Sequence, residues 1–120
     1  MVERGDATCR QVDTGMALVF ALFGKRWTGL IVSVLLGGPV HFAELRRAVP
    51  GISERMLSDR LTELSAVGLV VREVDGGPPL RVSYRLTEAG RALDPALKEL
   101  ARWAETYLAD GGQCPERFRK

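Results

Sequence analysis

The sequence predicts a mainly α domain with a small β-hairpin wing, on three observations. Residues 51–71, GISERMLSDRLTELSAVGLVV, read as a capped amphipathic helix that stops at a glycine and feeds directly into a strand. A short basic helix precedes this segment, and a charged hairpin comes after it. Helix, helix, then hairpin is the order of the winged helix-turn-helix, which makes the chain first a candidate reader of double-stranded DNA.

Composition sets the outer bounds. With 120 residues, 46% hydrophobic and 27% charged, residues 1–120 are expected to fold as one globular domain. The net charge of +2 neither demands nor excludes a nucleic-acid partner, so the placement of the charges carries more weight. Arg46, Arg47, Arg55, Arg72, Arg81 and Arg85 gather around the proposed reading unit. Glu44, Glu54, Asp59 and Glu63 moderate that field, so non-specific affinity should be modest and salt-sensitive.

Residues 16–36 are apolar enough to suggest a membrane span, but Lys25 and Arg26 fall near the middle. Two central basic residues cost roughly 5–7 kcal/mol on insertion scales, so a span is rejected. Glu3 and Asp6 ahead of the apolar run argue against a signal peptide, and a cytoplasmic location is expected. Two cysteines, Cys9 and Cys114, are too few for a disulfide scaffold.

The elements succeed one another in order. Residues 1–12 are polar and without period, and are expected to be loose. Asp13 or Thr14 caps a first helix over 15–23, apolar on nearly all sides, which Gly24 ends. A second helix spans about 26–36, with Trp27, Leu30, Ile31, Val34 and Leu35 on one face, before Gly37, Gly38 and Pro39 break the chain. A short strand over 40–42 leads into a brief helix over 42–49 with Phe42, Leu45 and Val49 inward. Pro50 and Gly51 turn the chain into the helix capped by Ser53.

Residues 69–74 and 80–86 are strand-like, joined by Asp-Gly-Gly-Pro-Pro (75–79); Val82, Tyr84 and Leu86 alternate with Arg81, Ser83 and Arg85. Thr87 caps a last helix that runs to about Ala109, and Pro95 either kinks it or begins a fresh segment behind an Asp94 cap. The Gly-rich end, 111–120, is expected to be a loose tail. The last helix carries two apolar stripes: Leu93, Leu97, Leu100, Ala104 and Leu108, and then Ala96, Trp103 and Tyr107. A core this small needs one of them. The second stripe, with Met16, Val19 and Phe20 of the first helix, points to a homodimer built from the two ends of the chain.

Unwrapped at about 100° per residue, the helix 53–67 puts Leu57, Leu61, Leu64 and Val67 on one side with Ser53, and Arg60 at the margin. Arg55, Ser58, Asp59 and Thr62 fall opposite. Arg55 can donate a bidentate pair to guanine and Asp59 can accept from a cytosine amino group, while Ser58, Thr62 and Ser53 suit bases or phosphates. Arg46 and Arg47, with Lys25 and Arg26, are placed to hold phosphates and fix register. Arg72 and Arg81 flank the wing tip and suit backbone contact, against the opposing charges of Glu73 and Asp75. His41, the sole histidine, cannot build a metal site; a phosphate contact or a loop role is expected of it, and no cofactor is. No nucleophile, base and orienter can be assembled, so the chain is not expected to be an enzyme.

These residues together resemble the HxlR-type transcriptional regulators, relatives of the MarR group. The resemblance covers about residues 18–107. It rests on Gly24-Lys-Arg-Trp27, on Gly38-Pro39 with Phe42-Ala-Glu-Leu45, and on Pro50-Gly-Ile-Ser-Glu-Arg-Met-Leu57. It continues through Arg60-Leu61, Glu63-Leu64, Gly68-Leu69, Val82-Ser-Tyr84 and Leu86-Thr-Glu-Ala-Gly90. It implies a winged helix-turn-helix homodimer on a palindromic operator, usually a repressor. The members most similar in the first and third of these motifs include sensors of quinones, aldehydes and disulfide stress, which use a cysteine before the first helix, sometimes paired with one near the other subunit's C-terminus. Cys9 and Cys114 stand in those two regions, with Arg10 and Arg117 near them to favour the thiolate. Cys9 lies about one helical turn upstream of the family's usual position, which Asp13 occupies here. Two rival expectations remain: a regulator opened by a small ligand in the dimer crevice, and a protein-interaction module without DNA binding.

Overall fold

The computed structural model describes residues 11–108. In chain order it holds α1 (Thr14–Phe23), α2 (Thr28–Leu35), β1 (Val40–His41), α3 (Phe42–Ala48), α4 (Glu54–Ala66), β2 (Val70–Asp75), β3 (Arg81–Leu86), α5 (Glu88–Arg91) and α6 (Asp94–Tyr107). The strands form one antiparallel sheet in the order β1-β3-β2. This is the winged helix-turn-helix, mainly α with a hairpin wing. Cys9, Cys114 and most of the expected loose tails lie outside the described residues.

The core is built from α2, α3, α4 and the inner ends of the hairpin. Ile31, Val32, Leu35, Leu45, Leu57, Leu61 and Leu64 are buried together with Val70, Tyr84 and Leu86. Truncating one of these leucines to alanine costs about 2–5 kcal/mol, from lost transfer energy and the cavity left behind.

Asp13 caps α1: its carboxylate accepts from the Met16 N–H at 3.1 Å. α1 buries none of its residues, and only Leu22 and Phe23 at its end pack on the core. α2 begins later than the expected Arg26. Trp27 adopts a left-handed φ of 82°, which takes it out of the helix and leaves Thr28 to start it. The register of the buried face changes accordingly. Thr28, Ile31, Val32 and Leu35 turn inward, whereas Leu30, expected in the core, is exposed.

The turn between α3 and α4 needs Gly51, whose φ of 92° strains any residue with a side chain. Ser53 then caps α4, its hydroxyl accepting from the Met56 N–H at 3.0 Å. At the far end Gly68, φ 83°, lets the Leu69 N–H reach back to the Leu64 carbonyl at 3.0 Å. Val67 was expected on the buried side but is exposed, because α4 ends at Ala66 and the chain has already begun to turn there. The strict alternation expected of β3 also fails at Ser83, which is buried between its cross-strand neighbours His41 and Glu73.

Thr87 joins the wing to α5. Its hydroxyl donates to the Gly68 carbonyl at 2.7 Å and accepts from the Gly90 N–H at 3.2 Å. Pro95 begins a fresh helix, one of the two expected outcomes, because its missing N–H costs nothing in a first turn. Asp94 is not the cap: it lies inside α6, beside Lys98 at 3.4 Å, and Leu93 occupies the cap position without a side-chain bond. Of α6 only Leu97 packs on the core, together with Leu93 at its cap position. Beyond them, Leu100 of the same stripe is 60% exposed while Ala104 and Leu108 are half-buried; on the other stripe Trp103 is 52% and Tyr107 72% exposed.

Among the described residues no single helix is long and apolar enough to cross a membrane; α1 and α2 reach that length only as a pair bent by 88°.

Candidate nucleic-acid interface

Arg55, Ser58, Asp59 and Thr62 all lie exposed on one face of α4, with Leu57, Leu61 and Leu64 buried behind them. Among the described residues no side-chain hydrogen bond or ion pair engages any of the four. An acidic residue, Glu54, occupies the first turn and Ser53 the cap, so the N-terminal dipole of α4 is partly satisfied.

Arg46 and Arg47 stand exposed in the last turn of α3. The Arg46 Nε donates weakly to the Ile52 carbonyl at 3.5 Å, which turns its side chain toward the start of α4. An open cleft of about 710 Å³ lies between the two helices, lined by both arginines, Gly51, Ser53 and Glu54. It has the cations and hydroxyl that a phosphate oxygen requires.

The wing carries the third group. Arg72 and Arg81 are exposed, and among the described residues no ion pair engages either. The two acids expected to oppose them are taken up elsewhere. Glu73 accepts from the Arg85 Nε at 2.9 Å, and Asp75 lies 3.6 Å from the His41 Nε2. Arg72 and Arg81 also line a second open cleft of about 450 Å³, between the hairpin and the start of α3, with Phe42 and Tyr84. His41 is therefore not a loop residue: it closes β1, takes the cap position of α3 with its backbone N–H donating to Glu44 Oε1 at 3.3 Å, and faces the wing.

Lys25 and Arg26 sit in the turn between α1 and α2, both exposed. Lys25 Nζ lies 3.4 Å from Glu63, and the Arg26 guanidinium lies 4.4 Å above the Trp27 ring. Such exposed pairs are weak, about 0–1 kcal/mol, and yield readily to a phosphate. The dimer candidates Met16, Val19, Phe20, Ala96, Trp103 and Tyr107 are all exposed, on α1 and α6.

Sequence reasoning placed Arg60 only at a margin. In the structure it donates from Nε to the Arg26 carbonyl at 3.0 Å and from Nη1 to both Glu63 oxygens at 3.2 Å. The spacing of Arg60 and Glu63 on one helix was visible in the sequence; the contact with Arg26, 34 residues away, was not.

The model of the HxlR-like helix-turn-helix family matches residues 22–111, most of the chain. The chain belongs to the HxlR family. Among its relatives is the HTH-type transcriptional regulator YodB of Bacillus subtilis, 39% identical over 107 residues, covering 89% of this chain and 92% of YodB. The structure of reduced YodB superposes with a TM-score of 0.71 at 41% identity, over 81% of this chain and 95% of that one. YodB has also been solved diamide-treated and quinone-bound. The redox regulator HypR in its reduced form matches with a TM-score of 0.72 at 36% identity, over 78% of this chain and 92% of HypR. The named relatives are HTH-type transcriptional regulators, and this chain is a helix-turn-helix transcriptional regulator of the same family rather than an enzyme.

Proposed function

We propose that the chain is a homodimeric repressor whose two α4 helices enter successive major grooves of a palindromic operator. The outward face of α4, polar, exposed and without internal partners among the described residues, is the observation that carries this reading. Arg55 reads a guanine edge and Asp59 accepts from a cytosine amino group, with Ser58 and Thr62 beside them. Arg46, Arg47 and Ser53 grip phosphate at the front of α4, Lys25 and Arg26 beside it, and Arg72 and Arg81 from the wing. The exposed faces of α1 and α6 join the two copies through Met16, Val19, Phe20, Ala96, Trp103 and Tyr107, and bury the apolar surface that a lone chain leaves in water.

A shift assay on the DNA upstream of its own gene, with a random competitor at several salt concentrations, tests the reading. Preference for the upstream fragment that persists as salt rises supports it. Equal affinity for both fragments returns the chain to the protein-interaction alternative. Block of run-off transcription from that fragment separates a repressor from an activator.

Cysteine control is the second part of the proposal, supported by the diamide-treated and quinone-bound forms of YodB. Cys9 of one subunit and Cys114 of the other would join as a disulfide, diamide taking the two electrons and two protons, or either thiolate would add to a quinone. Non-reducing electrophoresis and DNA release after diamide, compared with Cys9→Ser and Cys114→Ser, decide it. Release that persists in the double variant ends the thiol model and leaves a ligand in the dimer crevice as the regulator.

A further inference from the structure

We infer that Arg60 is a positioning residue for DNA reading: it clamps α4 to the backbone of the α1–α2 turn, so the aim of the reading face is set from α1. The inference rests on the reading of α4 as the DNA-reading helix. Its first support is burial. The Arg60 side chain is only 16% exposed, far below the usual state of an arginine.

The second support is what Arg60 holds. Nε donates to the Arg26 carbonyl at 3.0 Å, a backbone group that moves only if the turn itself moves. Nη1 donates to both oxygens of Glu63 at 3.2 Å, and Glu63 in turn lies 3.4 Å from Lys25 Nζ. Two residues three apart on α4 thus hold consecutive residues of one turn. At about 100° per residue, Arg60 and Glu63 fall between the leucine row and the outward face. They lie off the face that would meet bases, so they influence readout through the placement of α4.

The third support is a second contact made by the same turn. Trp27 holds a φ of 82°, with the Arg26 guanidinium over its ring at 4.4 Å. The far edge of the same indole would sit 3.4 Å from a Cβ added at Gly51, in the turn between α3 and α4. One turn therefore meets the helix-turn-helix unit at two places, through Trp27 before α4 and through Arg60 along it. Two anchors fix an orientation that a row of leucines alone leaves free to pivot. Because the turn directly succeeds α1, a displacement of that helix is delivered to α4.

The test uses the full chain with Arg60→Met, which keeps the apolar stem and loses both sets of hydrogen bonds, and Arg60→Lys, which keeps the charge. In Arg60→Met the ratio of upstream to random DNA affinity falls about tenfold, the size of one lost base discrimination, while random-DNA affinity changes less than about twofold. Amide exchange across residues 24–29 accelerates while that of α2 stays as in the wild type, and Arg60→Lys restores part of both. An unchanged ratio with unchanged exchange overturns the clamp. A reduced ratio with unchanged exchange also overturns it, by making Arg60 a direct DNA contact. Should Arg60→Met fail to fold, Arg60→Lys carries the test, and wild-type ratio and exchange in it overturn the clamp. A wild type that prefers no fragment defeats the reading of α4, whereas exchange across 24–29 still decides whether Arg60 holds the turn.

Discussion

Glu73 and Arg85 meet across the hairpin at 2.9 Å, and they do so on the face of the ribbon opposite Arg72. With Asp75 beside His41, both acids of the wing have partners other than Arg72, which stays open. Arg72→Ala should weaken binding alike on the operator and on random DNA. The slope of log affinity against log salt should fall in magnitude by about one, the share of a single phosphate contact. A titration at four or five salt concentrations measures it; an unchanged slope moves Arg72 off the backbone.

Arg55 should behave in the opposite way. Arg55→Ala is expected to cost roughly 1–3 kcal/mol on the operator and to relax preference at one base pair in each half-site. Binding to a library of operator variants checks this. Equal weakening on specific and random DNA reassigns Arg55 to the phosphates.

Much of this fold is legible in the sequence alone. Ser53, Gly51 and Gly68 bracket α4 through local backbone chemistry, and local chemistry is what a sequence displays. The hairpin and the break at Pro95 are legible for the same reason. The start of α2 is not, because the left-handed Trp27 is held by neighbours distant in sequence, and propensity sees only its own window. Leu30 and Val67 are misplaced by small errors of phase at helix ends. The pairs Arg60–Arg26 and His41–Asp75 depend on chain segments meeting in space, which periodicity does not encode.

The Ser53 cap has a measurable energy. Ser53→Ala removes the acceptor of the Met56 N–H and should cost about 1 kcal/mol of stability. Urea unfolding should show this as a lower midpoint at constant slope. An unaltered midpoint denies the hydroxyl its capping role.

Gly90 is a packing constraint. A Cβ there would lie 2.5 Å from the Leu69 carbonyl oxygen, which already accepts the Thr87 N–H at 2.9 Å. Gly90→Ala should destabilise by about 1–3 kcal/mol through overpacking, although alanine is the better helix former. Thermal unfolding decides the sign.

Trp103, half exposed on α6, tests the association of two copies. Trp103→Ala should weaken a dimer by about 2 kcal/mol, as an aromatic anchor in an interface does. Sedimentation across a dilution series should show more monomer in the variant; a wild type that sediments as a monomer at all concentrations removes the dimer.

The most direct measurement is a hydroxyl-radical footprint of the wild-type protein on the DNA upstream of its gene, combined with guanine-methylation interference. A symmetric pair of α4 readers predicts two protected half-sites centred about 34 Å apart, one helical turn, each with guanines whose major-groove methylation blocks binding. Protection confined to a single patch, or interference indifferent to the major groove, would contradict it.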